Sequence, residues 1–112
     1  MFEYRKREET KYIYVVLKEL PENFTKDSLF VSARRAGELD TGYHIILHNT
    51  GELEYDRPMD SVAQYDFPDY QTSLYVLAEK VTKKKGLTDA QQIVFDRHIR
   101  SLYPGAKVKE VK

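Results

Sequence analysis

Tyr12 to Leu17 (Tyr-Ile-Tyr-Val-Val-Leu) is a nearly unbroken apolar run rich in β-branched and aromatic residues, the pattern of a central strand covered on both faces. After the loop at Pro21, Thr25 or Asp27 can cap a short helix with Leu29, Ala33 and Ala36 on one face and Gly37 at its end. Thr41-Gly42 turns the chain into a strand from Tyr43 to His48, and Asn49-Thr50-Gly51 is a hairpin turn leading into a second strand from Glu52 to Tyr55. Met59 to Gln71 follows neither the strand nor the helix period and predicts a long surface loop. Thr72 to Lys80 reads as another strand, and the Thr82-to-Gly86 lysine run as a solvated turn. Thr88-Asp89-Ala90-Gln91 has the reciprocal spacing of a capping box, ahead of Phe95, Ile99 and Leu102 on one helical face. Tyr103-Pro104-Gly105 stops that helix, and Ala106 to Val111 alternates apolar residues with lysines as an exposed edge strand does. The order β-α-β-β-β-α-β predicts an α/β fold, a central mixed sheet flanked by helices.

Composition narrows the function classes. At 112 residues the chain fits a single domain, read as 11–112 behind a charged N-terminal extension over 1–10. Eighteen basic and eighteen acidic side chains cancel, removing the global positive field on which nucleic-acid and anionic-membrane binding rely. The absence of cysteine excludes disulfides and thiol chemistry. No apolar run is long enough to span a membrane, and the charged N-terminus lacks a signal-like stretch, so a cytoplasmic setting is expected.

Candidate chemistry is sparse. His44 and His48 share one side of a predicted strand but stand about 13 Å apart at the normal rise, too far for one metal ion. His98 falls beside Arg97 and Arg100, off the apolar helix face, and reads as solvated. Glu52 with Glu54, and Asp66 with Asp69, lie on a hairpin and a loop where carboxylates are ordinarily solvated. No glycine-rich phosphate loop or nucleophile motif occurs. Tyrosine, at nine residues, is abundant, and Tyr55, Tyr65, Phe67, Tyr70 and Tyr75 gather around the long loop. Such rings suit recognition because they present large rigid faces at small entropic cost, or they fill the space over the sheet.

Three blocks together resemble the type 2 N-acetylmuramoyl-L-alanine amidases, a family including phage amidase lysozymes and animal peptidoglycan-recognition proteins. They are Tyr12-Ile13-Tyr14-Val15-Val16; Leu39 to Ile46 with Asn49-Thr50-Gly51-Glu52 and Arg57-Pro58; and Leu87-Thr88-Asp89-Ala90-Gln91 leading to Tyr103-Pro104-Gly105-Ala106. The resemblance implies a zinc-binding histidine right after the paired valines, where this chain has Leu17, and a second one at Val111; the third ligand position lies past Lys112. A loop histidine of the family aligns with Tyr65, while Tyr43 and His44 are retained. Leu17, Val111 and Tyr65 are expected to turn a polar metal cleft into a packed apolar one.

With aliphatic residues at ligand positions no water is activated by zinc, so an inactive amidase-like domain needing no cofactor is expected. His44 then reads as structural. Phage amidase lysozymes as a family also inhibit a polymerase, so the resemblance implies a protein partner, with a phage- or prophage-encoded inhibitor or regulator of a host polymerase or defence nuclease as the expectation. The expected surface is Asp60, Tyr65, Asp66, Phe67, Asp69 and Tyr70. Muropeptide binding or residual hydrolysis through Tyr43 and His44 is the alternative, and Lys107 and Lys109 mark an edge open to a partner strand.

Overall fold

The computed structural model describes residues 5–20, 42–81 and 85–111. Five strands, β1 (Tyr12–Lys18), β2 (Ile45–Leu47), β3 (Leu53–Tyr55), β4 (Ser73–Glu79) and β5 (Lys107–Val111), form one sheet in the order β3-β2-β4-β1-β5. β1 runs parallel to β4 and β5, β2 parallel to β4, and β3 antiparallel to β2, which makes the sheet mixed as the element order predicts. Among the described residues there is one α-helix, α1 (Asp89–His98); the helix predicted after Pro21 lies outside them.

Strand alternation divides the interior into two layers. Ile13, Val15 and Leu17 of β1, with Ile45, Leu47, Leu74, Val76 and Ala78, pack against Phe95 and Ile99 from α1. Tyr14, Val16, Tyr43, Ile46, Tyr75 and Leu77 form the other layer, beneath Ala63, Phe67 and Tyr70. α1 begins with the expected capping box, in which the Thr88 hydroxyl accepts from Gln91 N–H and the Gln91 side chain accepts from Thr88 N–H. Leu102 departs from the expected helical face and is 58% exposed. The cause is a switch to a 3-10 turn at Arg100–Leu102, which changes the angular phase of the side chains.

The segment from Met59 to Gln71 contains no helix or named strand, as expected of a loop, yet Ser61, Ala63 and Gln64 are buried within it. Residues 5–7 of the charged N-terminal stretch are joined to this segment: Lys6 bridges Ser61, Arg7 N–H donates to the Asp60 carbonyl at 2.7 Å, and Val62 N–H donates to the Arg5 carbonyl at 2.9 Å. The Arg7 guanidinium supplies further donors to the Ser61 carbonyl (2.7 Å), Thr10 Oγ1 (2.7 Å) and Tyr103 Oη (3.2 Å). A charged residue in a charged stretch carries no periodic signal, so these contacts were invisible in the sequence.

Gly42 connects this covering segment to the sheet. Its φ is +85°, and an added Cβ would stand 2.8 Å from Gln64 Oε1 and 3.1 Å from Phe67 Cζ. Gly42→Ala is therefore expected to destabilise the domain by about 2–4 kcal/mol, combining left-handed backbone strain with overpacking. Urea unfolding should show a lower midpoint at unchanged slope.

Candidate functional site

The tyrosines of β1 and β4 build the face on which Tyr43 lies. Tyr14 and Tyr75 are register neighbours whose rings stack at 4.7 Å with 6° between planes. Phe67 lies 4.7 Å from Tyr75 and 5.1 Å from Tyr43 between ring centroids, so loop and sheet aromatics form one continuous layer. Their hydroxyls hold the covering segment down: Tyr75 Oη donates to the Pro68 carbonyl at 2.5 Å, and Tyr14 Oη donates to Asp69 Oδ2 at 2.6 Å. Asp69 itself adopts φ +52°, a left-handed backbone that aspartate tolerates better than most residues.

These surroundings hold the phenols neutral. Tyr14 titrates above the ordinary tyrosine range chiefly because its hydroxyl donates to Asp69, and secondarily through burial. Burial is the main cause for Tyr43, with the charge of Asp66 adding to it, and also for Tyr75. In each case the folded value is raised, so the stabilisation is whole below the unfolded tyrosine value of about 10 and is lost as pH rises beyond it. Alkaline unfolding starting near that pH is the expected result, with phenolate absorbance and loss of circular dichroism rising together.

His44 is fully buried and both ring nitrogens are engaged. Tyr75 N–H donates to Nδ1 at 3.0 Å, so Nε2 carries the hydrogen and donates it to the Ser61 carbonyl at 2.8 Å. Arg7 Nη1, which donates to the same carbonyl, lies 3.3 Å from Nε2. A ring held this way joins β2, β4 and the covering segment and offers no lone pair to a substrate. His48 pairs with Glu54 Oε1 at 2.5 Å across the hairpin, and His98 is exposed on α1.

The implied ligand positions do not meet as expected. Val111 is 40% exposed and Tyr65 78% exposed, so neither plugs a cleft. Leu17 points into the layer with Phe95 and Ile99, through the opposite face of the sheet from Tyr43. The register partner of Val111 is Val16, which belongs to the Tyr43 layer. Ligands of one ion must share a face, so the position that goes with Val111 is Val16, one residue before Leu17. A zinc ion does not fit these residues: two valines stand there without a lone pair, and among the described residues no group of three or more His, Cys, Asp and Glu could hold a metal.

The expected binding residues separate into two sets. Phe67 and Tyr70 are partly buried against the aromatic layer, and Asp69 is tied to Tyr14. Tyr65 and Asp66 project from the segment, and exposed Asp60 lies 3.9 Å from Lys6. Tyr75 belongs to the aromatic group expected around the loop, whereas Tyr14 was not counted in it, though the alternation Tyr12-Ile13-Tyr14 already placed two phenols on one face.

No protein-family model and no curated protein matches this sequence. Solved structures do match its fold. PGRP-Hd from Alvinella pompejana superposes with a TM-score of 0.77 at 16% identity, over 96% of this chain and 77% of that one. The Ph2119 endolysin from the Thermus scotoductus MAT2119 bacteriophage Ph2119 gives 0.74 at 18% identity, over 94% and 74%. The N-acetylmuramoyl-L-alanine amidase LysCS from Clostridium intestinale URNW gives 0.71 at 14% identity, over 98% and 76%. The chain therefore has the fold of the type 2 amidases and peptidoglycan-recognition proteins across nearly its whole length. Among the described residues no helix is long and apolar enough to cross a membrane.

Proposed function

We propose that this is a catalytically inactive amidase-fold domain that works by binding another protein, as an inhibitor or regulator. The observation carrying this reading is the pair Val16 and Val111, side by side on the sheet face that also carries Tyr14, Tyr43 and Tyr75. With Tyr43 buried and both His44 nitrogens engaged, neither residue is free to act on a muropeptide. The tip formed by Tyr65 and Asp66 is the recognition surface, with Asp60 of the same segment also exposed: an exposed ring on a backbone pinned by its buried neighbours is a preorganised anchor. Its acidic flank fits a basic partner surface, such as that of a nucleic-acid-handling enzyme, a polymerase or defence nuclease of a phage host being the candidates.

Purified protein should contain no stoichiometric zinc, release nothing from peptidoglycan, and give no calorimetric response to muropeptide. Tagged wild type should recover a partner from host lysate that the Tyr65→Ala, Asp66→Lys variant loses. Equal recovery by both would remove this surface, and hydrolysis abolished by Tyr43→Phe would overturn the inactive reading.

A further inference from the structure

β5 closes the sheet on one side, bonded along one flank to β1. The Lys107 N–H donates to the Lys11 carbonyl at 2.8 Å, which fixes the direction of every backbone group in the strand. In a parallel ladder the N–H and C=O of one residue point to the same neighbour, and those of the next residue point the opposite way. Lys107, Lys109 and Val111 therefore face β1, whereas Val108 and Glu110 aim their N–H and C=O groups away from the sheet. Among the described residues nothing bonds those groups.

The side chains beside this flank divide by face, with two lysines on one and Val108 and the exposed carboxylate of Glu110 on the other. Lys107 and Lys109 stand on the face shared with Tyr12 and Tyr14, with Lys109 Nζ 4.2 Å from the Tyr12 ring centroid. Val108 packs on the opposite face, against the layer that α1 covers.

We propose that the open flank of β5 docks an extended acidic segment of another protein, added as a further strand with its carboxylates over Lys107 and Lys109. Backbone pairing with Val108 and Glu110 supplies the attachment, and the two lysines supply the selection. A second copy of this chain is a poor occupant. Two-fold antiparallel pairing sets residues of equal parity opposite one another, which brings lysine against lysine, and like charges across a strand pair repel. Edge lysines act against such self-pairing. A strand with Glu or Asp at alternate positions turns the same lysines into cross-strand ion pairs. This inference is independent of the Tyr65 tip.

The test is a titration of the isotope-labelled full chain with a blocked heptapeptide alternating valine and glutamate, and with its valine-lysine counterpart. The acidic peptide is expected to shift the Val108 and Glu110 amides and slow their hydrogen exchange, and the basic peptide to leave them unchanged. Val108→Pro removes one outward N–H at an edge where proline is tolerated, and should weaken binding about tenfold while the circular dichroism spectrum persists, a factor equal to about 1.4 kcal/mol. Lys107→Glu with Lys109→Glu should invert the peptide preference, and Tyr65→Ala should leave the titration unaltered. No shift at millimolar peptide, protection mapping to β3 instead, or concentration-dependent dimerisation of the wild type through β5 would overturn the proposal.

Discussion

Gln91→Leu should destabilise the domain by about 3 kcal/mol, a large share of the roughly 5–15 kcal/mol that holds a domain of this kind together. The Gln91 side chain is fully buried and acts at three places. Its oxygen accepts from Thr88 N–H at 2.9 Å, closing the capping box. Its nitrogen donates to the Leu47 carbonyl at 3.2 Å and to the Glu79 carbonyl at 2.9 Å, the last residues of β2 and β4. Leucine fills the volume but takes one donor away from each of two strand-end carbonyls and the acceptor away from the N-cap N–H of Thr88. Unsatisfied buried groups cost about 1–3 kcal/mol each before relaxation and water recover part of it. Gln91→Glu should be at least as costly, because it keeps the acceptor and sets an anion against the two carbonyls. Thr88→Ala, which removes the hydroxyl that accepts from Gln91 N–H and donates to the Asn49 carbonyl at 2.9 Å, should cost nearer 1 kcal/mol. Denaturant unfolding of the three variants checks this ranking. Equal midpoints for Gln91→Leu and wild type would show that the strand-end bonds contribute nothing.

Val16→His combined with Val111→His should create a zinc-responsive protein from one whose own residues there offer no donor. The two positions are register neighbours on parallel strands and share a face. Adjacent strands lie about 4.8 Å apart, so two imidazoles can reach one ion at about 2.0–2.1 Å. At a hundredfold excess over its dissociation constant, zinc should stabilise this variant by about 2.7 kcal/mol relative to the same variant with chelator. Leu17→His with Val111→His should show no zinc-dependent change, because position 17 opens into the layer against Phe95. That variant should also lose stability outright, since an imidazole replaces a core leucine. Zinc-dependent melting of the Leu17 pair, with none for the Val16 pair, would reverse the face assignment. Hydrolysis is not expected from either, because a catalytic zinc needs a third protein ligand and an open position.

The choice between Val16 and Leu17 shows where a linear reading runs out. Counting along the first block places the ligand position after the paired valines, and a slip of one residue is undetectable while the strand is read by itself. In a sheet that slip exchanges the two faces. Pairing with β5 decides the matter, because Val111 selects its own neighbour. The same holds for the rings. Tyr65, Phe67 and Tyr70 are alike as loop aromatics in sequence, yet two pack against Tyr14, Tyr43 and Tyr75 while the third is exposed. Burial depends on what lies beneath the loop, and the loop's own residues carry no record of it.

Sequence by itself determined the elements whose causes are local: the apolar run of β1, the hairpin at Asn49-Thr50-Gly51, and the Thr88 to Gln91 capping box. Periodicity, turn chemistry and capping act over a few residues, so a few residues suffice to read them. Tertiary structure decided which face each strand residue serves, the anchoring of Arg7 beside His44, and the conversion of an aperiodic loop into the cover of the aromatic layer. Those outcomes arise from hydrogen bonds and contacts between segments far apart in the chain, such as Arg7 with Ser61 and Tyr14 with Asp69, and no local pattern encodes them.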